Sequence, residues 1–386
     1  MQSSRLVAVF VAAASGLPFA LLGPVTSGGA AGSRAPAPWP EHVVAAPDFN
    51  STPVAEPGTS SAYGIVPAAS ESVYARLDRL DLVKGKISAG PLVFFGAQLV
   101  QVGSSVGVVE PAVESVGPSG SPINPLLPGY QLLQLVEPGS VRLADHKYLR
   151  AAGKTSLPFV VASTSTNSAG GLWVVAAGRL LLFDTDSGSV LRSLHAPPGT
   201  IEGLVVSPSG SELYLSAVLR FEKNAPYVIY GLDARSGRVL AQRQLGLTIG
   251  GQVTAATNSG VWVTTGSGMV AETELMSGPE LTVRRPAGSA EAVVSEGGPI
   301  GTSIIGGIAW LVGGTGIACA SPMTGVVYAE ASFPKAPNGN IESFEPFAVA
   351  GQELFAVRTP YSGAGSGTVL AIRPSGCHLS GAAPTR

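Results

Sequence analysis

Residues 183–188 read FDTDSG and residues 232–237 read LDARSG, and each segment closes a β-rich run with a glycine. Five further segments end in the same way, and the seven terminal glycines follow one another at intervals of 41 to 54 residues. They are LDLVKG (80–85), QLVEPG (134–139), TELMSG (273–278), ASPMTG (320–325) and AIRPSG (371–376). A repeat of this length is typical of propellers and solenoids.

The segments after these glycines indicate tight hairpins. An apolar stretch begins again at once, as in Val190-Leu191 and Val239-Leu240. Glycine adopts the positive φ that such a turn requires without the steric cost that other residues incur. Each copy of the motif therefore predicts a turn between two antiparallel strands.

An aromatic residue precedes the turn in five of the seven copies, within a second apolar strand. We interpret these aromatic residues as core packing between repeats. They are Trp173, Tyr214, Trp262, Trp310 and Phe355. In the fourth repeat the pattern predicts strands at 201–206, 212–217, 227–233 and 238–243.

Four strands in one repeat match a propeller blade. A lone four-stranded sheet with two apolar faces is unstable, whereas radial packing covers both faces and protects the edges. A parallel β-helix is the alternative, but its repeats are shorter and lack this hairpin punctuation. We therefore predict an all-β fold, a single seven-bladed β-propeller of four-stranded antiparallel blades that spans residues 61–380.

Closure of the ring is the least regular feature of the pattern. The last repeat lacks a fourth strand, because Cys377-His378-Leu379 leads directly into a Gly/Ala/Pro-rich tail at 381–386 that we expect to be disordered. We hypothesise that a strand from residues 45–64 completes the last blade.

The N-terminus has the pattern of a secretory signal peptide over residues 1–31. A basic region ends at Arg5, an apolar run covers residues 6–22, and small residues follow. A retained transmembrane anchor is the alternative. Residues 32–60 are rich in Ala, Pro, Ser and Gly and predict a flexible linker, which contains the sequon Asn50-Ser51-Thr52. We expect a secreted or cell-envelope protein without membrane insertion after cleavage.

Cys319 and Cys377 are the two cysteines of the chain. In an oxidising compartment they could form a disulfide between the last two repeats, and the alternative is two separate buried thiols. No histidine or further cysteine stands at ligand spacing from them, so we expect no metal site.

The strings SPSGSELYLS (207–216) and LDARSGRVL (232–240) resemble the YVTN-type and quinoprotein-like β-propeller repeats of bacterial secreted proteins. The resemblance covers roughly residues 62–379 and implies a seven-bladed ring. The tryptophan that often ends the quinoprotein unit is absent after Leu191 and Leu240. We therefore expect no quinone cofactor, and we predict no other cofactor.

Composition excludes some classes of partner. The net charge is −2, charged residues make up 12% of the chain, and the Lys and Arg residues are not clustered, so we expect no nucleic-acid partner.

No nucleophile elbow is present in a strand-to-helix context. The segment Asp184-Thr185-Asp186 begins like a calcium loop but lacks the later ligands, so we interpret it as a turn.

The four histidines, His42, His146, His195 and His378, are far apart in the sequence, and no pair has metal-ligand spacing.

The loop insertions indicate that one face of the ring carries the binding site. We place them between the second and third strands of blades two, four and seven, at 104–128, 220–226 and 360–367. The connections between blades that reach the same face carry His195, Glu202, Glu291, Glu296, Lys335 and Glu342.

Two functions fit this pattern. The first is a non-enzymatic module that binds a protein or glycan of the cell envelope through this loop-rich face as a monomer. The second is a lyase or hydrolase that resembles the streptogramin-lyase propellers, with a His and acidic residues near the central channel; fold analogy alone supports it. The sequence identifies no catalytic residue.

Overall fold

The computed structural model describes residues 37–47, 49, 53–67, 74–94, 97–111, 130–150, 161–163, 171–176, 178–219, 226–245, 250–258, 260–267, 270–278, 280–284, 299–313, 316–333, 343–359 and 367–377. Within these residues the chain forms 28 strands in seven sheets of four. Every strand pair described is antiparallel, so the predicted seven-bladed propeller is confirmed. The same residues contain no helix long and apolar enough to cross a membrane.

The first strand, β1 (Glu41–Ala45), belongs to the last blade. The next three blades follow in chain order. Blade 1 contains β2 (Val54–Ala55), β3 (Ser61–Pro67), β4 (Tyr74–Asp81) and β5 (Lys86–Phe94); blade 2 contains β6 (Gln98–Val102), β7 (Ser105–Pro111), β8 (Tyr130–Val136) and β9 (Leu143–Arg150); blade 3 contains β10 (Val161–Ser163), β11 (Gly171–Ala176), β12 (Arg179–Asp184) and β13 (Val190–His195).

The remaining blades have the same order. Blade 4 contains β14 (Thr200–Val206), β15 (Glu212–Val218), β16 (Tyr227–Asp233) and β17 (Val239–Gln244); blade 5 contains β18 (Gly250–Ala256), β19 (Gly260–Ser267), β20 (Val270–Ser277) and β21 (Thr282–Arg284); blade 6 contains β22 (Pro299–Ile305), β23 (Ile308–Gly313), β24 (Gly316–Ala320) and β25 (Val327–Ser332); blade 7 contains β26 (Ser343–Ala350), β27 (Glu353–Thr359), β28 (Thr368–Ile372) and β1. Within a blade we call the strands a to d from the channel outwards. The strands predicted for blade 4 agree with the structure to within one residue.

The seven terminal glycines all follow strand c of their blades and all have positive φ, from 64° to 83°. Six of them lie in the turns between strands c and d, whereas Gly376 follows β28, whose neighbouring strand d is the N-terminal β1. These turns and the a–b turns define one face of the ring, which we call the turn face. The b–c and d–a connections define the opposite loop face. The innermost strands contact one another in ring order, from β2 through β6, β10, β14, β18 and β22 to β26, which contacts β2.

The predicted aromatic residues occupy one position of strand b in their blades. Each aromatic residue pairs with a residue of strand c. That partner lies two residues before the turn that follows strand c, as Leu275, the partner of Trp262, does in blade 5. The structure adds Tyr63 of blade 1, which pairs with Arg79, so six blades carry a buried aromatic residue there. Each of the six faces the next blade and belongs to a core between two blades.

Side chains of one blade also donate hydrogen bonds to carbonyls in the c–d turn of the next. Tyr63 Oη donates to the Ser140 carbonyl at 2.8 Å, and Trp262 Nε1 donates to the Pro322 carbonyl at 3.1 Å. Arg192 reaches the Ala234 carbonyl in the same way at 2.7 Å. These contacts join consecutive blades at the turn face.

The ring closes through β1, which pairs with β28 from Glu41↔Ile372 to Ala45↔Val369. The closing strand therefore precedes the hypothesised segment 45–64, which instead supplies β2 and most of β3. The predicted linker 32–60 is wrong over 41–45 and 54–55, because β1 and β2 there make the backbone hydrogen bonds of two blades. The sequence pattern did not predict these two short strands, because proline and alanine are common around them. The expected signal peptide lies outside the described residues.

A disulfide joins Cys319 of β24 to Cys377, with 6.1 Å between the Cα atoms. Both cysteines share a core with Trp39, which immediately precedes the closing strand region and packs edge-on against Trp310 with ring centroids 6.4 Å apart. The disulfide thus lies between blades 6 and 7, in the core that Trp39 covers just before the closing strand.

Candidate ligand site between blades 4 and 5

The two predicted polar residues of the loop face that the structure describes, His195 and Glu202, do not converge. His195 is exposed at the end of β13, the outermost strand of blade 3, whereas Glu202 is exposed on β14, the innermost strand of blade 4. Glu291, Glu296, Lys335, Glu342 and His378 lie outside the described residues. His42 is exposed on β1, and His146 lies on β9. The histidine and the carboxylate at the channel therefore do not form a pair.

The Asp184 segment is a turn. The Asp184 carboxylate accepts hydrogen bonds from the backbone N–H groups of Asp186 at 2.8 Å and Ser187 at 3.4 Å. These hydrogen bonds hold the pKa of Asp184 below its usual value. Asp233 makes the equivalent bonds in blade 4. In the described part of the chain, no group of three or more His, Cys, Asp or Glu residues is arranged to hold a metal ion.

The loop face is uneven around the ring. The b–c connections of blades 3, 5 and 6 span only residues 177–178, 268–269 and 314–315. Those of blades 2, 4 and 7 span residues 112–129, 219–226 and 360–367. The blade 2 insertion was predicted from residue 104, which is too early, because β7 continues the alternating strand pattern to Pro111. Most residues of the three long connections lie outside the described part of the chain.

Four exposed polar side chains lie at one level of the innermost strands. Gln98, Gln252 and Glu345 pair with Val109, Thr264 and Val357, which lie two residues beyond the strand b aromatic position of their blades. Glu202 lies in a β-bulge at the same level of blade 4. Strand a borders the central channel, so side chains exposed on it face the channel or its mouth. The level lies on the half of the ring nearer the loop face.

The described residues of the seven innermost strands include no Lys, Arg, His or Asp. Their polar groups are amides, hydroxyls and the carboxylates of Glu202 and Glu345. The innermost strands therefore offer a ligand neutral hydrogen-bonding groups and two carboxylate acceptors, and they have no cationic side chain among the described residues.

Two glycines bring blades 4 and 5 together beside Glu202. A Cβ atom on Gly203 would lie 2.5 Å from Ser216 Oγ, 2.9 Å from Val253 Cγ2 and 3.5 Å from Gln252 Cγ. Because these distances are short, Gly203 allows the Ser216 hydroxyl and the Gln252 side chain to approach the same point.

Gly251 has the same role one residue before Gln252. A Cβ atom there would lie 2.5 Å from Leu245 Cδ1 and 3.2 Å from Tyr227 Cβ. Tyr227 begins strand c of blade 4 and is partly buried beside the Glu202 carboxylate. Burial, and then this carboxylate, raises the pKa of Tyr227, so its phenol is neutral at physiological pH.

We call Glu202, Ser216, Tyr227 and Gln252 the blade 4–5 notch. Ser216 is fully buried, and its Oγ has no hydrogen-bond partner among the residues that the structure describes. Three further polar groups lie on neighbouring strands of blades 4 and 5: the Glu202 carboxylate, the Tyr227 phenol and the Gln252 amide. Sequence reasoning identified Glu202 but missed the other three, because the register of strands from two blades brings them together.

Comparison with known proteins supports the fold class. No family model matches the chain, and no curated protein matches it. Solved structures do match. They include BamB from Moraxella catarrhalis (14% identity, TM-score 0.43, 86% of this chain and 85% of that one), the Dos1 propeller (11%, 0.50, 87% and 95%) and the Cps50 (Swd1) β-propeller domain of Myceliophteria thermophila (9%, 0.48, 87% and 100%). The likeness to the Dos1 propeller, at 11% identity, shows the fold alone: the chain is similar to a β-propeller protein.

Proposed function

We propose that this protein is a secreted or cell-envelope β-propeller that acts as a non-enzymatic binding module through its loop face. One observation carries the proposal: exposed polar side chains on four innermost strands lie at a single level near that face. A rigid ring that holds such groups on strands positions them better than loops would.

The distribution of loops supports the same face. The long b–c connections of blades 2, 4 and 7 all reach it, and recognition commonly resides on loops that a rigid scaffold positions. The signal-peptide pattern at 1–31 and the disulfide support an oxidising, extracytoplasmic location. The partner is a protein or glycan of the envelope, and the protein acts as a monomer.

The test is affinity capture from the native cell envelope with the chain that begins at residue 32. Replacement of residues 112–129 by a short Gly/Ser connection should abolish capture of the ligand. The matched control shortens residues 164–170, which connect strands a and b of blade 3 at the turn face, and should retain capture. Full capture by the 112–129 variant, with unchanged circular dichroism, would contradict the proposal.

The alternative function, a propeller lyase or hydrolase, has weaker support because His195 lies on an outermost strand and Glu202 on an innermost one. It predicts a turnover of lactone or cyclic-ester substrates that His195→Ala abolishes. The binding module predicts that His195→Ala leaves capture unchanged.

A further inference from the structure

Ser216 Oγ is the starting point. This hydroxyl is fully buried in strand b of blade 4 and has no hydrogen-bond partner within the described part of the chain. An unsatisfied buried polar group destabilises the folded state, so most buried hydroxyls in proteins have a hydrogen-bond partner. It lies at the level of the channel residues, beside Gly203, where the backbone bulges at Glu202.

The groups around it form a mixed donor and acceptor array. The Glu202 carboxylate accepts hydrogen bonds, the Gln252 amide both donates and accepts, and the Tyr227 phenol can do both. Glu202 and Gln252 are exposed on adjacent innermost strands, and Tyr227 packs against Gly251, next to Gln252. The aromatic ring thus lies beside polar groups that reach the channel.

We propose that the blade 4–5 notch binds a neutral sugar, a proposal that rests on the binding function proposed above. Neighbouring hydroxyls of a sugar each donate and accept, which suits a carboxylate next to an amide, and the Tyr227 ring offers apolar contact for C–H groups. A bound water joins Ser216 Oγ to the ligand, which gives the buried hydroxyl its partner.

A cationic ligand suits the notch less well. Only one carboxylate is present there, and the Tyr227 phenol is beside it. The other exposed carboxylate of this level, Glu345, is on blade 7. A polyamine would therefore have two separate carboxylates, Glu202 and Glu345, as partners for its charges, and neutral amides and hydroxyls between them.

The experiment titrates the whole chain with methyl glucoside, methyl mannoside, methyl galactoside and N-acetylglucosamine, followed by saturation-transfer NMR and calorimetry. Spermidine is the cationic probe. We expect binding of at least one sugar, weakened about tenfold or more by Glu202→Gln, because a hydrogen bond to a charged group is lost. Gln252→Ala removes a neutral hydrogen bond and should weaken binding about threefold or more. Glu345→Gln, at the same level of blade 7, is the matched control and should bind normally.

Ser216→Ala separates a ligand role from a structural one. Removal of a hydroxyl without a partner should leave the melting temperature unchanged or higher while sugar affinity falls. Absence of saturation transfer for all four sugars would overturn the proposal, as would equal effects of Glu202→Gln and Glu345→Gln. Spermidine binding that requires Glu202, without sugar binding, would also overturn it. If loop-dependent capture persists in any of these cases, the proposed function stands and only the ligand class is wrong.

Discussion

At the scale of single residues, one position of strand b organises the cores between blades. Blade 2 is the exception, because Gly107 occupies this position and pairs with Leu135. A Cβ atom on Gly107 would lie 3.0 Å from Leu133 Cδ1, so the space is already filled. Phe183 of blade 3 is fully buried in the same core. We predict that its ring occupies the space that an aromatic residue at position 107 would take.

Gly107 and Phe183 should therefore be energetically coupled. Phe183→Ala should lower the free energy of unfolding by about 3–5 kcal/mol, and Gly107→Phe alone should destabilise by overpacking. The double variant should be more stable than the sum of the two single changes predicts, as measured by chemical denaturation. Simple additivity would show that the two side chains do not share space.

Tyr63 should give the protein a distinct alkaline sensitivity. Burial, and then the Glu56 carboxylate, raises the pKa of Tyr63 to about 12 from 10.0. The folded state therefore favours the neutral phenol, and this contribution to stability is present below pH 10 and is lost as the pH rises to about 12.

Tyr63→Phe should show a smaller loss of unfolding free energy between pH 10 and pH 12 than the unmodified protein. At neutral pH the variant should be less stable by about 1 kcal/mol, because the hydrogen bond from Tyr63 to the Ser140 carbonyl is gone. Parallel pH curves for the two proteins would contradict the first expectation.

At the scale of elements, the c–d hairpin performs two tasks. Its terminal glycine adopts positive φ, and in several blades the same glycine is pressed against strand d of the preceding blade. A Cβ atom on Gly85 would lie 2.3 Å from the Val44 carbonyl of β1, and one on Gly237 would lie 3.2 Å from Leu194 Cβ of β13. The motif therefore contributes to packing between blades as well as to the turn.

Gly85→Ala and Gly139→Ala separate these two tasks. Gly139 has φ of 70° and nothing within 4 Å of its hypothetical Cβ atom, so its replacement should cost only the conformational strain of about 1–2 kcal/mol. Gly85→Ala adds a collision with the backbone of the closing strand and should lower the melting temperature further. Equal melting temperatures for the two variants would show that β1 moves away from residue 85 without loss of stability.

At the scale of the whole molecule, both ends of the propeller meet within blade 7. β1 pairs with β28, the Arg373 amide donates to the Pro40 carbonyl at 2.9 Å, and Arg358 pairs with Glu41 at 3.3 Å. Phe49 then packs between blades 7 and 1, where a Cβ atom on Gly64 would lie 2.2 Å from its ring. Closure therefore depends on residues near the N-terminus, far from blade 7 in the sequence.

Removal of residues through Ala45 should open the ring. The variant exposes the edge of β28 and the cores that Trp39 and Val44 cover, so its unfolding free energy should fall by at least about 3 kcal/mol. Calorimetry should show a lower melting temperature, and hydrogen exchange should show faster exchange in β28. A chain that begins at residue 37 is the control and should melt as the longer protein does.

The sequence by itself determined the blades. Hairpin glycines, strand alternation and in-register aromatic residues act over a few residues, so their spacing alone predicts seven repeats of four strands. Only the tertiary structure decided how the ring closes and which groups meet at its channel. The closing strand, the Gly107–Phe183 core and the blade 4–5 notch each depend on contacts between residues remote in the sequence. Periodicity carries no signal for such contacts, because they arise from the register between strands of different blades.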